Sequence, residues 1–123
     1  MSGWIVMIIA AVLVAGFFVM SQTRASEASR EARGWELIAQ GALLVDARTP
    51  EEFAAGHLEN AVNIPHTETV ARLSEYGADK KQSIVVYCRS GNRSGIAEGL
   101  LVEHGFTNVH NAGGYEAIMK VKP

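Results

Sequence analysis

The chain has 123 residues, 11 lysines and arginines, 13 aspartates and glutamates, a formal net charge of -2 and one cysteine. This length allows one small domain and one additional segment, and a single cysteine excludes an intramolecular disulfide. From Gly34 onward, eight basic residues stand against eleven acidic ones, which argues against a nucleic-acid-binding surface. No cysteine and histidine spacing resembles a zinc site, so we predict neither a metal site nor a cofactor.

The first 23 residues carry no charge, and residues 4–20 are almost entirely apolar. Because 17 residues lie at the short end of the length range for membrane spans, we predict an N-terminal apolar helix that anchors a single-pass membrane protein. A cleaved signal peptide is the competing interpretation, although no basic residue precedes the apolar run and residues 23–25 form only a tolerable cleavage site. A helix buried in the domain core is the third, and apolar residues on every face argue against it.

Residues 24–33 are small, polar or charged, and they predict a linker or a helical extension of the anchor before a domain over 34–123. Arg24, Arg30 and Arg33 all follow the apolar segment. The positive-inside rule therefore places the domain on the cytoplasmic side of a bacterial-type inner membrane. Signal cleavage would instead release the domain into the periplasm.

Short apolar runs alternate with helical patterns along the domain. The segments predicted as strands are 43–47, 61–64, 83–87 and 108–110. The segments predicted as helices are 35–40, 49–56, 69–73, 95–105 and 115–119. The helix at residue 49 has an N-cap threonine, a proline at its first position and acidic residues in its first turn. Alternating strands and helices predict an α/β fold, with a mostly parallel sheet covered on both faces.

The only cysteine begins the turn between the strand 83–87 and the helix 95–105, in the stretch Cys88-Arg89-Ser90-Gly91-Asn92-Arg93-Ser94. Such a turn directs unpaired backbone N–H groups and the positive end of the helix dipole to one point, which favours an anion there. Arg89 and Arg93 add full positive charges. Helix N-termini and arginines lower cysteine pKa values, so we predict a reactive Cys88 thiolate in an anion-binding loop.

Two further residues of this loop have predicted backbone roles. Gly91 suits a positive φ or a close backbone approach to a ligand, and Ser94 suits the N-cap of the following helix. The alternative interpretation treats Cys88 as a small core side chain and the arginines as solvated turn residues. Position, charge and glycine together favour the anion-binding interpretation.

Five motifs, in this order, resemble the signatures of a single-domain rhodanese, and they cover the chain from residue 34 to its end. They are Val45-Asp46-Ala47-Arg48-Thr49-Pro50-Glu51-Glu52-Phe53, Gly56-His57-Leu58, Ala61-Val62-Asn63-Ile64-Pro65, the stretch from Cys88 to Ser94, and Asn111-Ala112-Gly113-Gly114. The end of the chain is also similar to the small phage-shock-type periplasmic thiosulfate sulfurtransferases.

The resemblance implies a three-layer α/β/α domain and the transfer of a sulfane sulfur from an anionic donor such as thiosulfate to a thiol or cyanide. It implies that Cys88 carries the sulfur as a persulfide and that a backbone cradle holds it, formed by Arg89, Ser90, Gly91, Asn92, Arg93 and Ser94. Asp46 and Arg48 match a strand-end Asp-x-Arg motif whose role we take as mainly structural. Little chain precedes Trp35 that could form a first strand, so we expect four or five strands and an irregular edge.

Two histidines and two other functions complete the predictions. His57 is interpreted as a structural hydrogen-bonding residue, and His66 as a residue on a loop that could flank the pocket.

Cysteine-dependent phosphatases and arsenate reductases need five residues between cysteine and arginine, whereas four separate Cys88 from Arg93, which argues against them. The remaining alternative is a membrane-anchored sulfur-carrier or interaction module with little turnover.

Overall fold

The computed structural model describes residues 29–123, so the predicted anchor or signal segment 1–23 lies outside it. No helix within residues 29–123 combines the length and the hydropathy that a membrane span needs. In chain order the elements are α1 (Arg30–Ala39), β1 (Leu43–Asp46), α2 (Pro50–Ala55), β2 (Val62–Asn63), two short 3-10 helices (His66–Glu68 and Leu73–Tyr76), β3 (Ile84–Cys88), α3 (Asn92–Glu103), β4 (Val109–Gly114) and α4 (Tyr115–Lys120).

The sheet has four strands in the order β2-β1-β3-β4, and all three strand pairs are parallel. This confirms the predicted parallel α/β arrangement with the smaller of the two expected strand numbers. All five residues of β3 are buried, because the strand has a neighbour on each side and is covered on both faces. The predicted edge strand is longer than expected, since it continues to Gly114. Cys88 therefore ends a central, enclosed strand.

Two apolar clusters lie on the two faces of the sheet and produce the three layers. One combines strand and loop side chains with side chains of α3 and the second 3-10 helix. Its members are Val45, Ala47, Ile64, Tyr76, Ile84, Val86, Cys88, Ala97, Leu101 and Phe106. The other packs against α1 and α4: Leu44, Leu58, Val85, Tyr87, Ala112 and Ile118, bordered by Trp35, Leu37 and Ile38. Trp35 Nε1 donates to the Ile118 carbonyl oxygen at 2.9 Å, which joins the two helices of this second layer.

The first helix begins earlier than the sequence pattern predicts. Ser29 caps it by accepting a hydrogen bond from the Ala32 amide at 3.1 Å, so residues 30–33, predicted as linker or extension, are its first turn. Gly34, where we expected the domain to begin, lies inside the helix. A Cβ added there would lie 2.8 Å from Ala112 Cβ, so this glycine lets α1 pack closely on β4.

The prediction of a helix over 69–73 is wrong. Residues 69–72 form a turn between the two 3-10 helices, and Leu73 begins the second of them. The Thr69 hydroxyl donates to the His66 carbonyl oxygen at 2.8 Å, and side-chain bonds of this kind compete with the hydrogen-bonding pattern of a regular helix.

Candidate active site

The loop that carries the cysteine turns more tightly than expected. Gly91 is the N-cap of α3 and has left-handed backbone angles, φ +100° and ψ −10°, which confirms the predicted positive φ. The helix therefore starts at Asn92, and Ser94 lies within its first turn. The prediction of Ser94 as the N-cap is wrong because the glycine reverses the chain before that residue is reached.

Two donors, one in this loop and one in the first turn of α3, lie within hydrogen-bond distance of the Cys88 sulfur. The Gly91 amide donates to Sγ at 3.0 Å, and the Ser94 hydroxyl lies 3.3 Å from it. Burial raises the pKa of the Cys88 thiol, since the residue has no exposed surface. Hydrogen bonds to the sulfur lower that pKa by more than burial raises it, so the pKa lies below the ordinary value for cysteine. Their donors are the Ser94 hydroxyl and the amides of Ser94, Ser90 and Gly91.

Asn111 on β4 makes side-chain contacts with both residues that donate to the sulfur, Gly91 and Ser94. Its Nδ2 donates to the Gly91 carbonyl oxygen at 2.9 Å, and its Oδ1 lies 2.7 Å from the Ser94 hydroxyl. A hydroxyl has one hydrogen, so Ser94 donates either to Asn111 or to the sulfur. The charge on sulfur can therefore decide which bond forms. Asn111 belongs to one of the five sequence motifs, but no role could be predicted for it because its partners lie far away in the chain.

The two loop arginines have different surroundings. Arg93 forms two hydrogen bonds with the Glu52 carboxylate, at 2.5 and 3.0 Å. The Arg93 guanidinium, together with Thr49, lowers the Glu52 pKa to about 2. Glu52 also completes the capping box of α2 with Thr49, so this ion pair joins α2 to the loop. Within residues 29–123, Arg89 is exposed and forms no salt bridge or side-chain hydrogen bond.

A cavity of about 360 Å³ opens beside the loop. Its walls are Arg48, Glu52, Ala55, Arg89, Tyr115 and Glu116, so it carries charges of both signs around a tyrosine ring. Arg89 is the lining residue nearest to Cys88 in the sequence. His66 is absent from these walls, and its amide instead donates to the Ala47 carbonyl oxygen at 3.0 Å. This volume is at the lower end of the range for small-ligand sites.

A buried hydrogen-bond network holds Arg48, one of the residues that line the cavity. The guanidinium of Arg48 bonds the Asp46 carboxylate, with Nη2 2.6 Å from Oδ2, and the Tyr87 hydroxyl donates to the same Oδ2 at 2.9 Å. The Tyr87 hydroxyl in turn accepts from the Leu58 amide at 3.0 Å. These contacts are the structural role expected for the Asp-x-Arg pair.

His57 also makes the kind of contact expected from the sequence. Its Nδ1 lies 2.7 Å from the Phe53 carbonyl oxygen, and its ring stacks on Phe53 with a centroid distance of 3.6 Å. The ring therefore closes the end of α2, and none of its hydrogen bonds within residues 29–123 reaches the loop.

The end of β4 packs directly on the cysteine loop. A Cβ at Gly114 would overlap the carbonyl group of Arg89, so only glycine fits there without displacing the loop. The register of β3 and β4 shifts between Val86 and Tyr87, and Gly113 has φ +93°. This irregularity in the edge strand sets the position of the glycine pair against the loop.

The comparison with known families matches residues 31–120 to the Rhodanese-like domain. The chain belongs to the rhodanese-like family. The matched range includes α1 except for Arg30, and so extends upstream of the predicted domain start at Gly34. The match covers every strand of the sheet and the complete Cys88 loop.

Related proteins of this family agree with the assignment. The thiosulfate sulfurtransferase PspE of Escherichia coli (strain K12) is 41% identical over 80 residues, which are 63% of this chain and 77% of that protein. The thiosulfate sulfurtransferase GlpE of Pseudomonas syringae pv. syringae (strain B728a) is 37% identical over 78 residues, 63% of this chain and 72% of that protein. The solved structure of a rhodanese with anions from E. coli has a TM-score of 0.59 and 38% identity, covering 62% of this chain and 89% of that one. The predicted enzyme class, a sulfurtransferase of the rhodanese type, is confirmed.

Proposed function

We propose that this rhodanese transfers the outer sulfur of thiosulfate to a thiophilic acceptor through a persulfide on Cys88. The Cys88 thiolate attacks the outer sulfur, a bond forms between the two sulfurs, and sulfite leaves with the electron pair of the broken S–S bond. A thiolate or cyanide then attacks the outer sulfur of the persulfide, and the Cys88 thiolate is released. Neither step removes a proton from an alcohol or water, so no general base is needed.

The observation that carries this proposal is the pair of donors aimed at Sγ, the Gly91 amide at 3.0 Å and the Ser94 hydroxyl at 3.3 Å. A persulfide is more acidic than a thiol, so the resting enzyme holds negative charge on Sγ and the intermediate holds it on the adjacent outer sulfur. Fixed donors stabilise such charge without rearranging during the reaction. In the proposed site the substrate sulfur is surrounded by the loop residues Arg89, Ser90, Gly91, Asn92, Arg93 and Ser94.

The cavity next to Arg89 is the proposed approach for both substrates. Arg89 is the exposed cation at its border and would attract the thiosulfate dianion. Because Cys88 has no exposed surface, part of the loop must move before the donor can reach Sγ. The rate of sulfur uptake therefore depends on loop opening as well as on the thiolate fraction.

The test measures thiocyanate formation from thiosulfate and cyanide, together with the intact mass after thiosulfate alone. We expect turnover with ping-pong kinetics and a mass gain of one sulfur atom that cyanide removes. Cys88→Ser should lose both signals while retaining the fold. A wild-type protein that folds but shows neither turnover nor the mass gain would contradict the proposal.

A second candidate, favoured by the buried position of Cys88, is a sulfur-carrier module with little turnover. In that case the mass gain appears but thiocyanate does not accumulate beyond one equivalent. Phosphatase activity is not favoured, because only four residues separate Cys88 from Arg93, one fewer than those enzymes need, and Arg93 already pairs with Glu52. Hydrolysis of a phosphate ester that disappears in Cys88→Ser would reverse this conclusion.

The membrane predictions rest on the sequence alone. We propose that residues 4–20 anchor the enzyme in a bacterial-type inner membrane and that the predicted linker ends before Ser29, which caps α1. Release into the periplasm after signal cleavage is the alternative. Fractionation with protease accessibility gives the side of the membrane, and an intact mass of the cellular protein tells whether residues 1–25 remain.

A further inference from the structure

Arg30, in the first turn of α1, reaches the cysteine loop from 60 positions away in the sequence. Its Nη2 donates to the Ser90 carbonyl oxygen at 3.2 Å. The carbonyl oxygen of Arg30 itself accepts a hydrogen bond from His110 Nε2 at 2.8 Å, which fixes the start of α1 on β4. The Arg30 side chain therefore extends from a backbone position that His110 holds, and its guanidinium contacts the loop.

Two glycines make room for this guanidinium. A Cβ added at Gly91 would lie 2.8 Å from Arg30 Nη1, and one added at Gly113 would lie 2.7 Å from Arg30 Nε. Both glycines have positive φ; Gly91 lies in the cysteine loop and Gly113 at the irregular end of β4. The guanidinium therefore lies against the loop backbone itself, in a space that a side chain at either position would fill.

The bond to Ser90 acts on the group that faces the sulfur. The Ser90 carbonyl and the Gly91 N–H belong to one planar trans peptide unit, and they point in opposite directions. When Arg30 holds the oxygen on the outside, the N–H must point inward, where it lies 3.0 Å from Sγ. A donor on the carbonyl also polarises the peptide and strengthens its N–H as a donor.

We propose that Arg30 is a positioning residue of the active site, which clamps the Ser90–Gly91 peptide so that its N–H stabilises the Cys88 thiolate. The inference rests on the proposed role of Cys88 as the nucleophile. Within residues 29–123 the hydrogen bonds of the Arg30 side chain go to Glu31 and the Ser90 carbonyl, so Arg30 acts on the sulfur through the peptide. The first helix is consequently part of the catalytic apparatus, and a domain cut at Gly34 would lack this contact.

Arg33 provides a matched control on the same helix. Both arginines pair with a carboxylate of α1, Arg30 with Glu31 and Arg33 with Glu36, and their side chains are 49% and 48% exposed. Within residues 29–123, Arg33 makes no hydrogen bond to the loop. Arg30→Met and Arg33→Met thus remove the same charge from the same surface, and only the first removes the clamp.

The experiment measures the pH dependence of Cys88 alkylation by iodoacetamide in the full-length protein, with circular dichroism as a check of folding. Losing one hydrogen bond that supports a charged group should raise the Cys88 pKa by about 0.5 to 1 unit in Arg30→Met. At a pH well below the wild-type pKa, the rates of alkylation and of persulfide formation should both fall about 3- to 10-fold. Arg33→Met should retain the wild-type profile, and Arg30→Lys should restore part of it, because it keeps a cationic donor.

An unchanged Cys88 pKa in folded Arg30→Met, or an equal shift in Arg33→Met, would overturn the inference. If Arg30→Met does not fold, Arg30→Lys decides, and an unshifted pKa with unchanged rates would then count against the clamp. The proposed function fails separately, when the wild-type protein alkylates normally but takes up no sulfur from thiosulfate.

Discussion

Two fully buried tyrosines offer a direct test of how the sheet is held together beneath the site. Tyr87 and Tyr76 each have 0% exposed surface and lie on opposite faces of the sheet. The Tyr87 hydroxyl accepts from the Leu58 amide at 3.0 Å and donates to the Asp46 carboxylate at 2.9 Å. The Tyr76 hydroxyl lies near Thr69 but has no hydrogen bond within residues 29–123, and burial raises the pKa of Tyr76 to about 12.

Tyr87→Phe leaves the Leu58 amide buried without a partner, which costs about 1–3 kcal/mol, and removes one bond from Asp46, which costs about 1 kcal/mol. We therefore expect the free energy of unfolding to fall by about 2–4 kcal/mol. Tyr76→Phe removes a polar atom that has no partner, so the free energy of unfolding should stay unchanged or rise by up to about 1 kcal/mol.

Urea unfolding followed by circular dichroism at neutral pH measures both variants in the full-length protein. Because native domains are stable by only about 5–15 kcal/mol, the expected loss in Tyr87→Phe is a large shift of the midpoint. Equal losses in the two variants, or a larger loss in Tyr76→Phe, would refute the reasoning that the Asp46 network stabilises the fold.

Three further changes test the loop and its supports. Ser94→Ala removes a donor to sulfur and should raise the Cys88 pKa by about 1 unit, measured by alkylation rates across pH. Because the Glu52 pKa is lowered from 4.5 to about 2, its ion pair stabilises the fold above pH 4.5 and is lost as the pH falls through about 2. The difference in melting temperature between wild type and Glu52→Gln should accordingly shrink between pH 5 and about 2, and a constant difference would contradict the pairing. Gly114→Ala should lower the free energy of unfolding by about 1–3 kcal/mol or more because its Cβ overlaps the loop, whereas Gly99→Ala, with nothing within 4 Å of its Cβ, should raise it by about 0.5–1 kcal/mol. Similar losses in both glycine variants would show that the overlap is not the cause.

Local patterns predicted the framework of the site correctly. The N-cap at Thr49 and the apolar strand that precedes Cys88 depend on residues within a few positions, so their signals survive in the sequence. The start of α3 was misplaced for a local reason too, because Gly91 and Ser94 both suit a helix start. Only the left-handed turn of the glycine decides between them.

Contacts between distant residues could not be predicted in the same way. Arg30 contacts the loop across 60 positions and Asn111 contacts Ser94 across 17, so each role depends on how β4 and α1 are placed. The charge on Arg30 suggested only membrane orientation. The domain was predicted to begin at Gly34 because the small, polar and charged residues before it were interpreted as a linker or extension, whereas Gly34 lies inside α1 and its lack of a side chain lets the helix pack on Ala112.

The enclosed sulfur also bears on chemical damage. Thiols with a low pKa are the first to be oxidised to sulfenic acids when peroxide can reach them. Cys88 has no surface open to solvent, so an oxidant must enter by the same route as the sulfur donor. A change that opens this entrance and leaves the donors to Sγ in place should speed sulfur uptake and peroxide inactivation together, so a faster enzyme should also be inactivated sooner.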